Sequence, residues 1–307
     1  MTTCLTVRAS RRLNSVVPQP KFSASIGKNG VNLGDRTVLI GLDCFATGRT
    51  SGFVALGSAC NSTATGGSGN LAAGSGCVVI GTPTGNAAIG FGCSIQGAGT
   101  TGAVAGGYGV AGVHSYSISL GVSITSGNTH QFNIGNGVGG SQQNSLSLGV
   151  QTFTTRYGEQ GWSSGRHTSN GDVMSSLLTV SGTTTNATPT ELFIGGVASN
   201  RIVLTAGSSL LVDVRAVART TGAIGKTAVF RRSLQIDRPT NAASTTLVGS
   251  VQTVLTDTGS NAGTPPAGWA LTLSADTTNG SLKVEATGDT DTILWSIEIT
   301  FQQAVRA

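Results

Sequence analysis

The sequence predicts an all-β protein, a solenoid of short stacked strands followed by an antiparallel β-sandwich or jelly roll. Three observations predict it. A short apolar phrase ending in glycine returns again and again between Ser25 and Gly149. Charged side chains vanish from residues 50–155. Beyond residue 169, apolar and polar residues alternate in strand-length runs, and no helical apolar stripe appears.

The phrase reads Ser-Ile-Gly at 25–27, Val-Leu-Ile-Gly at 38–41, Val-Ala-Leu-Gly at 54–57 and Val-Val-Ile-Gly at 78–81. It goes on through 87–90, 117–121, 131–135 and 145–149, with a weaker copy at 104–107. The closing glycines are Gly27, Gly41, Gly57, Gly81, Gly90, Gly106, Gly121, Gly135 and Gly149, and most steps are 14 to 16 residues. Fixed-period self-similarity marks a repeat architecture, in which each copy buries its apolar face only by stacking on the next. Alternation within 131–135 and 145–149 marks a strand with one buried face. The closing glycine permits a tight turn or the close approach of a neighbouring backbone. Small residues follow at the third position, among them Cys44, Cys60 and Cys93. Each repeat therefore reads as strand, glycine turn, second short strand and polar loop. With rungs about 4.8 Å apart, nine would give a body roughly 40 Å long. Steps of 24 and 9 residues flank Gly81 and leave the register open between 60 and 110. Residues 70–74, Asn-Leu-Ala-Ala-Gly, read as a degenerate rung that fills the long step.

The phrase x-Ala-Ile-Gly-x-x-Ala-x-Ala, strongest at 38–46, 54–62 and 87–95, resembles the head repeat of YadA-like trimeric adhesins, a repeat also found in phage tail fibres. The resemblance covers about residues 25–150. It implies a left-handed parallel β-roll with three chains packed side by side.

Composition bears on the same point. Of 307 residues 46 are glycine, with 10% charged and 5% aromatic. A chain so poor in large apolar side chains builds a thin core alone, so the roll is expected to be covered partly by other chains. Gly/Ser-rich disorder is the alternative for 60–110. The net charge of +5 lies wholly in residues 1–49. Within 1–22 the charged residues are Arg8, Arg11, Arg12 and Lys21, a basic arm ending in Pro18-Gln-Pro20. Such an arm suits an acidic partner surface, or is a solvated tail. No recognition fold or interleaved aromatic pattern points to nucleic acid. Five cysteines, Cys4, Cys44, Cys60, Cys77 and Cys93, form no C-x-x-C pair, and three share one repeat position. They read as small core residues that face one another in successive rungs, reduced, as suits assembly in a host cytoplasm. No secretory signal and no apolar run of membrane-spanning length is expected.

Residues 23–150 form the repeat body. Residues 151–168 restore charge and aromatics and read as a neck that caps the roll, since an exposed rung edge recruits other strands. Residues 169–307 carry the alternating strands of the sandwich. Ile293, Trp295, Ile297, Ile299 and Phe301 alternate with polar partners, as do Leu210, Val212, Val214, Ala216 and Ala218. Trp269, Leu271 and Leu273 face Leu282 and Val284 across the Asn279-Gly280 turn. Further strands are expected within 176–180, 192–194, 201–204, 227–237 and 244–255. The stretches 177–192 and 273–284 are similar to C-terminal domains of phage tail proteins.

Chemistry is sparse. Gly222-Ala-Ile-Gly225-Lys226-Thr227 mimics the end of a phosphate loop, but Thr220 stands where the first glycine belongs and a strand follows, not a helix. Asp289 and Asp291 near Glu285 suit calcium or a hydrated acidic turn. His114, His130 and His167 have no partner at metal-ligand spacing, although a trimer would gather any one of them into a ring. Arg231, Arg232 and Arg238 suit acidic sugars or outward strand positions. The absence of carboxylates from 50–155 leaves no acid/base pair for glycoside cleavage in the roll. No catalytic residue, cofactor or metal is expected, and the chain is read as no enzyme.

The resemblance and the composition together imply a structural virion protein, a homotrimeric phage tail fibre. The arm at Arg8, Arg11, Arg12 and Lys21 would bind a tail or baseplate protein, and the C-terminal domain would meet a host-surface glycan or protein. Asn261, Thr264 and Trp269 are the expected receptor contacts, because function collects on loops held by rigid scaffolds. The alternatives are a neck or capsid fibre, a glycan-depolymerising tailspike, or a fragment of a bacterial trimeric adhesin.

Overall fold

A computed structural model describes residues 5–6, 24–29, 31–32, 36–46, 52–62, 68–82, 84–97, 100–112, 114–222, 225–260 and 263–306. It divides into two compact units, 1–150 and 151–307. Among the described residues the chain is all-β apart from one 3-10 turn at Ala242–Ser244.

The first unit is a β-solenoid. Strands Ala24–Lys28, Val38–Leu42, Val54–Ser58, Leu71–Ser75, Ala87–Phe91, Val104–Tyr108, Ile118–Val122, Phe132–Asn136 and Leu146–Val150 pair in parallel, each with the next. A second parallel ladder runs through shorter strands: Val31–Asn32, Phe45–Ala46, Asn61–Ser62, Val78–Gly81, Ser94–Gly97, Ala111–Gly112, Thr125–Ser126 and Gly139–Gly140. Leu5–Thr6 pairs antiparallel to the first long strand.

This register corrects the sequence reading at two glycines. Gly81 does not close a long strand, because Val78–Gly81 belongs to the short-strand ladder. Its place is taken by Gly74, so residues 70–74 are a full rung. The weak copy closes on Gly107, not Gly106. The in-register column is thus Gly27, Gly41, Gly57, Gly74, Gly90, Gly107, Gly121, Gly135 and Gly149. The irregular spacing disappears once the apolar run at 78–81 is moved to the other sheet.

The column requires glycine for a steric reason. At Gly121 φ is +139°, and a Cβ would lie 1.9 Å from the carbonyl oxygen of Gly135. Each carbonyl of the column fills the space a side chain would need on the rung before it.

The solenoid core is lean and columnar. Leu39, Ala55, Ala72, Ala88 and Ala105 line one column, continued by Ser119, Asn133 and Ser147, all buried. Cys44, Cys60, Cys77 and Cys93 form a second, continued by Val110, Ile124 and Val138. Each thiol donates to the carbonyl of the closing glycine one rung on, at 3.5, 3.4, 3.2 and 3.2 Å in turn. Burial pushes the Cys60 thiol up to about 11 and raises Cys93 as well, which keeps both protonated as donors. Buried Asn86 ties three rungs together. Its N–H donates to Asn70 Oδ1, its amide donates to the Thr100 carbonyl, and its Oδ1 accepts from Ala103 N–H.

The second unit is antiparallel. Its larger sheet runs Gln160–Ser164, Val173–Thr184, Ile293–Val305, Ser208–Thr220, Thr227–Arg238, Thr246–Gly259. A smaller sheet pairs Ser281–Thr287 with Thr190–Glu191, Ile202–Val203 and Ala270–Asp276. The two sheets share one core. Trp295 stacks on Phe230 at 5.7 Å, meets Trp269 at 6.2 Å and donates its indole N–H to Thr184 Oγ1 at 2.9 Å. The expected strands are all present, and Asn279-Gly280 closes the hairpin between Asp276 and Ser281. Residues 151–168 fall in this unit.

Within that stretch lies a buried ion pair. Arg156 Nη1 donates to Glu159 Oε1 at 3.0 Å, with both side chains almost wholly buried. Its other donors go to the Val203 carbonyl and Gln303 Oε1, and its guanidinium lies over the Phe301 ring. Glu159 accepts from Ser176 Oγ and from the backbone N–H groups of Thr155 and Arg156. Every charge in it is hydrogen-bonded, the condition under which burial is tolerated.

Candidate functional site

Two surfaces depart from the ordinary pattern of an isolated domain. The first belongs to the solenoid. The residue before each closing glycine points outward and is apolar at most rungs. Ile26, Ile40, Leu56, Ile89, Leu120, Ile134 and Leu148 are each more than a third exposed. The residue after the glycine extends the same face through Leu42, Phe91, Tyr108, Val122 and Val150. Phe91 and Tyr108 stack with ring centroids 5.1 Å apart. At about 4.8 Å per rung the column runs for about 40 Å, and a contiguous apolar strip of this kind marks an interaction surface. Alternation at 131–135 and 145–149 predicts that the apolar residues are the buried ones, and the structure corrects this: Asn133 and Ser147 are buried, while Phe132, Ile134 and Leu148 are exposed. Strand alternation sets the face: Leu39, Asn133 and Ser147 point inward, so Ile40, Ile134 and Leu148 point outward.

The second surface lies on the second unit. One row of residues crosses five strands on the outer face of the larger sheet: Trp162, Ser175, Gln302, Leu211 and Gln235. Trp162 is 48% exposed and Leu211 53%. With Ser209, Val173 and Ala304 they line a shallow groove of about 730 Å³ whose lining carries no ionisable side chain, and Asp237, which accepts from Gln235 Nε2 at 3.2 Å, stands beside it. Sequence reading assigned Trp162 to a neck and missed it. The available signal was its alternation with buried Gly161, which marks an outward strand position.

The expected sites fare unevenly. Arg8, Arg11, Arg12, Lys21 and Asn261 lie outside the described residues. Thr264 is exposed beside a turn. Trp269 is corrected: it is only 5% exposed, its ring is part of the core, and it is not available to a receptor.

The remaining motifs are occupied by internal partners. Lys226 pairs with Asp289 at 2.9 Å and with Asp291 at 2.7 Å, so the phosphate-loop mimic and the acidic turn neutralise each other. Hydrogen bonds to Asp291 and Asp289 hold this ammonium above its ordinary range. Arg232 is bidentate with Asp257, and Arg238 donates to the Leu204 carbonyl. Arg201 holds Glu191 and approaches Asp276, while Lys283 holds Glu285. Among the described residues no three His, Cys, Asp or Glu side chains group as metal ligands. His130 stacks on Tyr116. Among the described residues no helix is long and apolar enough to cross a membrane.

No family model and no curated protein matches the chain. Among solved structures, the Acinetobacter baumannii phage AM24 tailspike protein is similar over 95% of this chain and 60% of its own, at 10% identity and a TM-score of 0.25. The Acinetobacter phage vB_ApiP_P1 tailspike protein is similar over 95% and 58%, at 10% identity and a TM-score of 0.23. The chain thus spans about three-fifths of their length. Likenesses this weak carry no weight in the functional reading.

Proposed function

We propose that the chain is a structural protein of a phage tail, a homotrimeric fibre. The solenoid is read as a left-handed roll of YadA-like repeats, three side by side, forming a stalk. The second unit is read as a β-sandwich that contributes to host receptor binding. The basic arm, with Arg8, Arg11, Arg12 and Lys21, is read as the attachment to a tail or baseplate protein of the virion, assembled in the host cytoplasm.

The observation that carries the reading is the exposed apolar column of the solenoid. It repeats with the rungs, so its natural cover is an equally periodic surface, which another copy of the same rod supplies. The thin core behind it fits the same view, because Ala, Cys and Ser bury little area per rung. A binding role is preferred to glycan cleavage because Glu191, Asp276 and Glu285 are matched to Arg201 and Lys283. That leaves these acids in ion pairs and not poised as an acid and a base.

The test is adsorption and location. Purified protein should compete with phage for host cells, and antibodies to it should label the tail in electron micrographs. Labelling of the capsid or neck would move the fibre. Release of reducing ends from host polysaccharide would make it a depolymerase.

A further inference from the structure

The row across the larger sheet has a chemistry of its own. Trp162 offers a half-exposed indole at one end, Gln302 offers an outward amide, Gln235 offers an outward amide whose Nε2 donates to Asp237 Oδ1 at 3.2 Å, and Leu211 lies between the two with Ser175 and Ser209 at its sides. The side chains stand on paired strands, so the row is rigid. We infer that this groove binds a short neutral glycan, one sugar ring stacking its C–H face on Trp162 and the hydroxyls of later rings pairing with Gln302, about 10 Å across the sheet, and with Gln235, about 19 Å across.

The chemistry selects this occupant over others. Indole faces pack against apolar C–H surfaces, and amides both donate and accept, as sugar hydroxyls do. An acidic sugar would find no cationic side chain in the lining. Arg215, on the same face two rows away, pairs with Glu298. Burial under an apolar protein partner would strand the Gln302 amide and the Gln235 side-chain carbonyl without hydrogen bonds, which a polyhydroxylated ligand returns. The volume of about 730 Å³ is within the range of small-molecule sites, about 300–1,000 Å³. The inference rests on the receptor-binding reading above and gives it a ligand class and a place.

The experiment uses tryptophan emission of the full chain in its native assembly. Only three tryptophans are present, and Trp269 and Trp295 are buried, 5% and 2% exposed. Trp162 therefore supplies the acrylamide-quenchable, red-edge emission. The probes are tetrasaccharides of glucose, mannose, galactose and N-acetylglucosamine, with tetragalacturonate as the acidic control. At least one neutral probe should protect Trp162 from acrylamide, and tetragalacturonate should not. Calorimetry with that probe should show binding about tenfold weaker for Trp162→Ala and about threefold weaker for Gln302→Ala, the worth of one stacking contact and one hydrogen bond. The idea is overturned by three results: no protection by any neutral probe, unchanged affinity in Trp162→Ala, or a Trp162 already shielded by another copy before sugar is added. Host-cell adhesion separates the two levels. Adhesion that survives Trp162→Ala removes the groove and leaves the receptor reading standing. A wild-type protein that binds the sugar but no cells does the reverse.

Discussion

The two units bury their chains in opposite ways. The solenoid keeps mostly small residues inside, Ala72, Ala88, Cys77 and Cys93 among them, with Leu39, Phe53, Ile95 and Ile124 as its large members, and turns Ile89, Leu120 and Ile134 outward. The second unit keeps its largest apolar side chains inside, with Trp295, Phe230 and Trp269 at the centre. In the first, a backbone column of glycines sets the spacing and stacked hydrogen bonds hold the rungs. In the second, side-chain volume between two sheets supplies the cohesion. The contrast teaches that one chain combines a unit with an apolar face still to be covered and a unit that covers its own.

That contrast is broken most sharply at the glycine column. Gly121→Ala would drive a methyl group into the Gly135 carbonyl, and should cost about 4 kcal/mol or more. Hydrogen exchange should accelerate across 104–136 while 293–305 stays protected. Gly92 is the control. Its φ is +61° with nothing within 4 Å of an added Cβ, so Gly92→Ala should cost only about 1 kcal/mol. Equal effects at the two sites would remove the steric account. In the second unit the matching lesion is Trp295→Ala, expected to cost about 3–4 kcal/mol in denaturant melts as it opens a cavity against Phe230 and Trp269.

Much of this was legible in the sequence, and the misses have physical causes. Period-two alternation placed Ser208–Thr220 and Ile293–Val305, because each has one buried and one exposed face. The glycine phrase located most rungs. It failed at 78–81 because Val-Val-Ile-Gly on the short-strand sheet has the same pattern as a long strand, and local pattern does not say which sheet a strand joins. Trp269 was taken for a loop contact because its neighbours, Pro265, Pro266 and Gly268, are turn residues. What pulled it inward was tertiary packing against Trp295. The groove row joins residues distant in sequence, so only strand register reveals it.

Smaller effects sharpen the comparison. Asp172, in the second unit, accepts from the N–H groups of His167, Thr168 and Ser169. Burial pushes its carboxyl up, and the backbone donors of Thr168, Ser169 and His167 outweigh this and bring it below the ordinary range. A carboxyl that is more acidic folded than unfolded stabilises above its unfolded value, about 3.9, and loses that contribution as pH falls through the folded value. Asp172→Asn should therefore cost about 1 kcal/mol at neutral pH, and the gap to wild type should close in acid melts below about pH 4. A gap constant from neutral pH to pH 2 would deny the carboxylate its role. The smallest change is a gain. Ala59 holds φ at +53° in a solenoid turn, a conformation that glycine adopts freely, so Ala59→Gly should raise roll stability by up to about 1 kcal/mol.

The proposed trimer is tested most directly by the mass of the native particle in solution, from light scattering or native mass spectrometry. The account predicts three times the 30.7 kDa chain, with Leu120→Asp and Ile134→Asp together shifting it toward the single chain. A stable, soluble particle of 30.7 kDa that leaves the column from Ile26 to Leu148 open to water would contradict it.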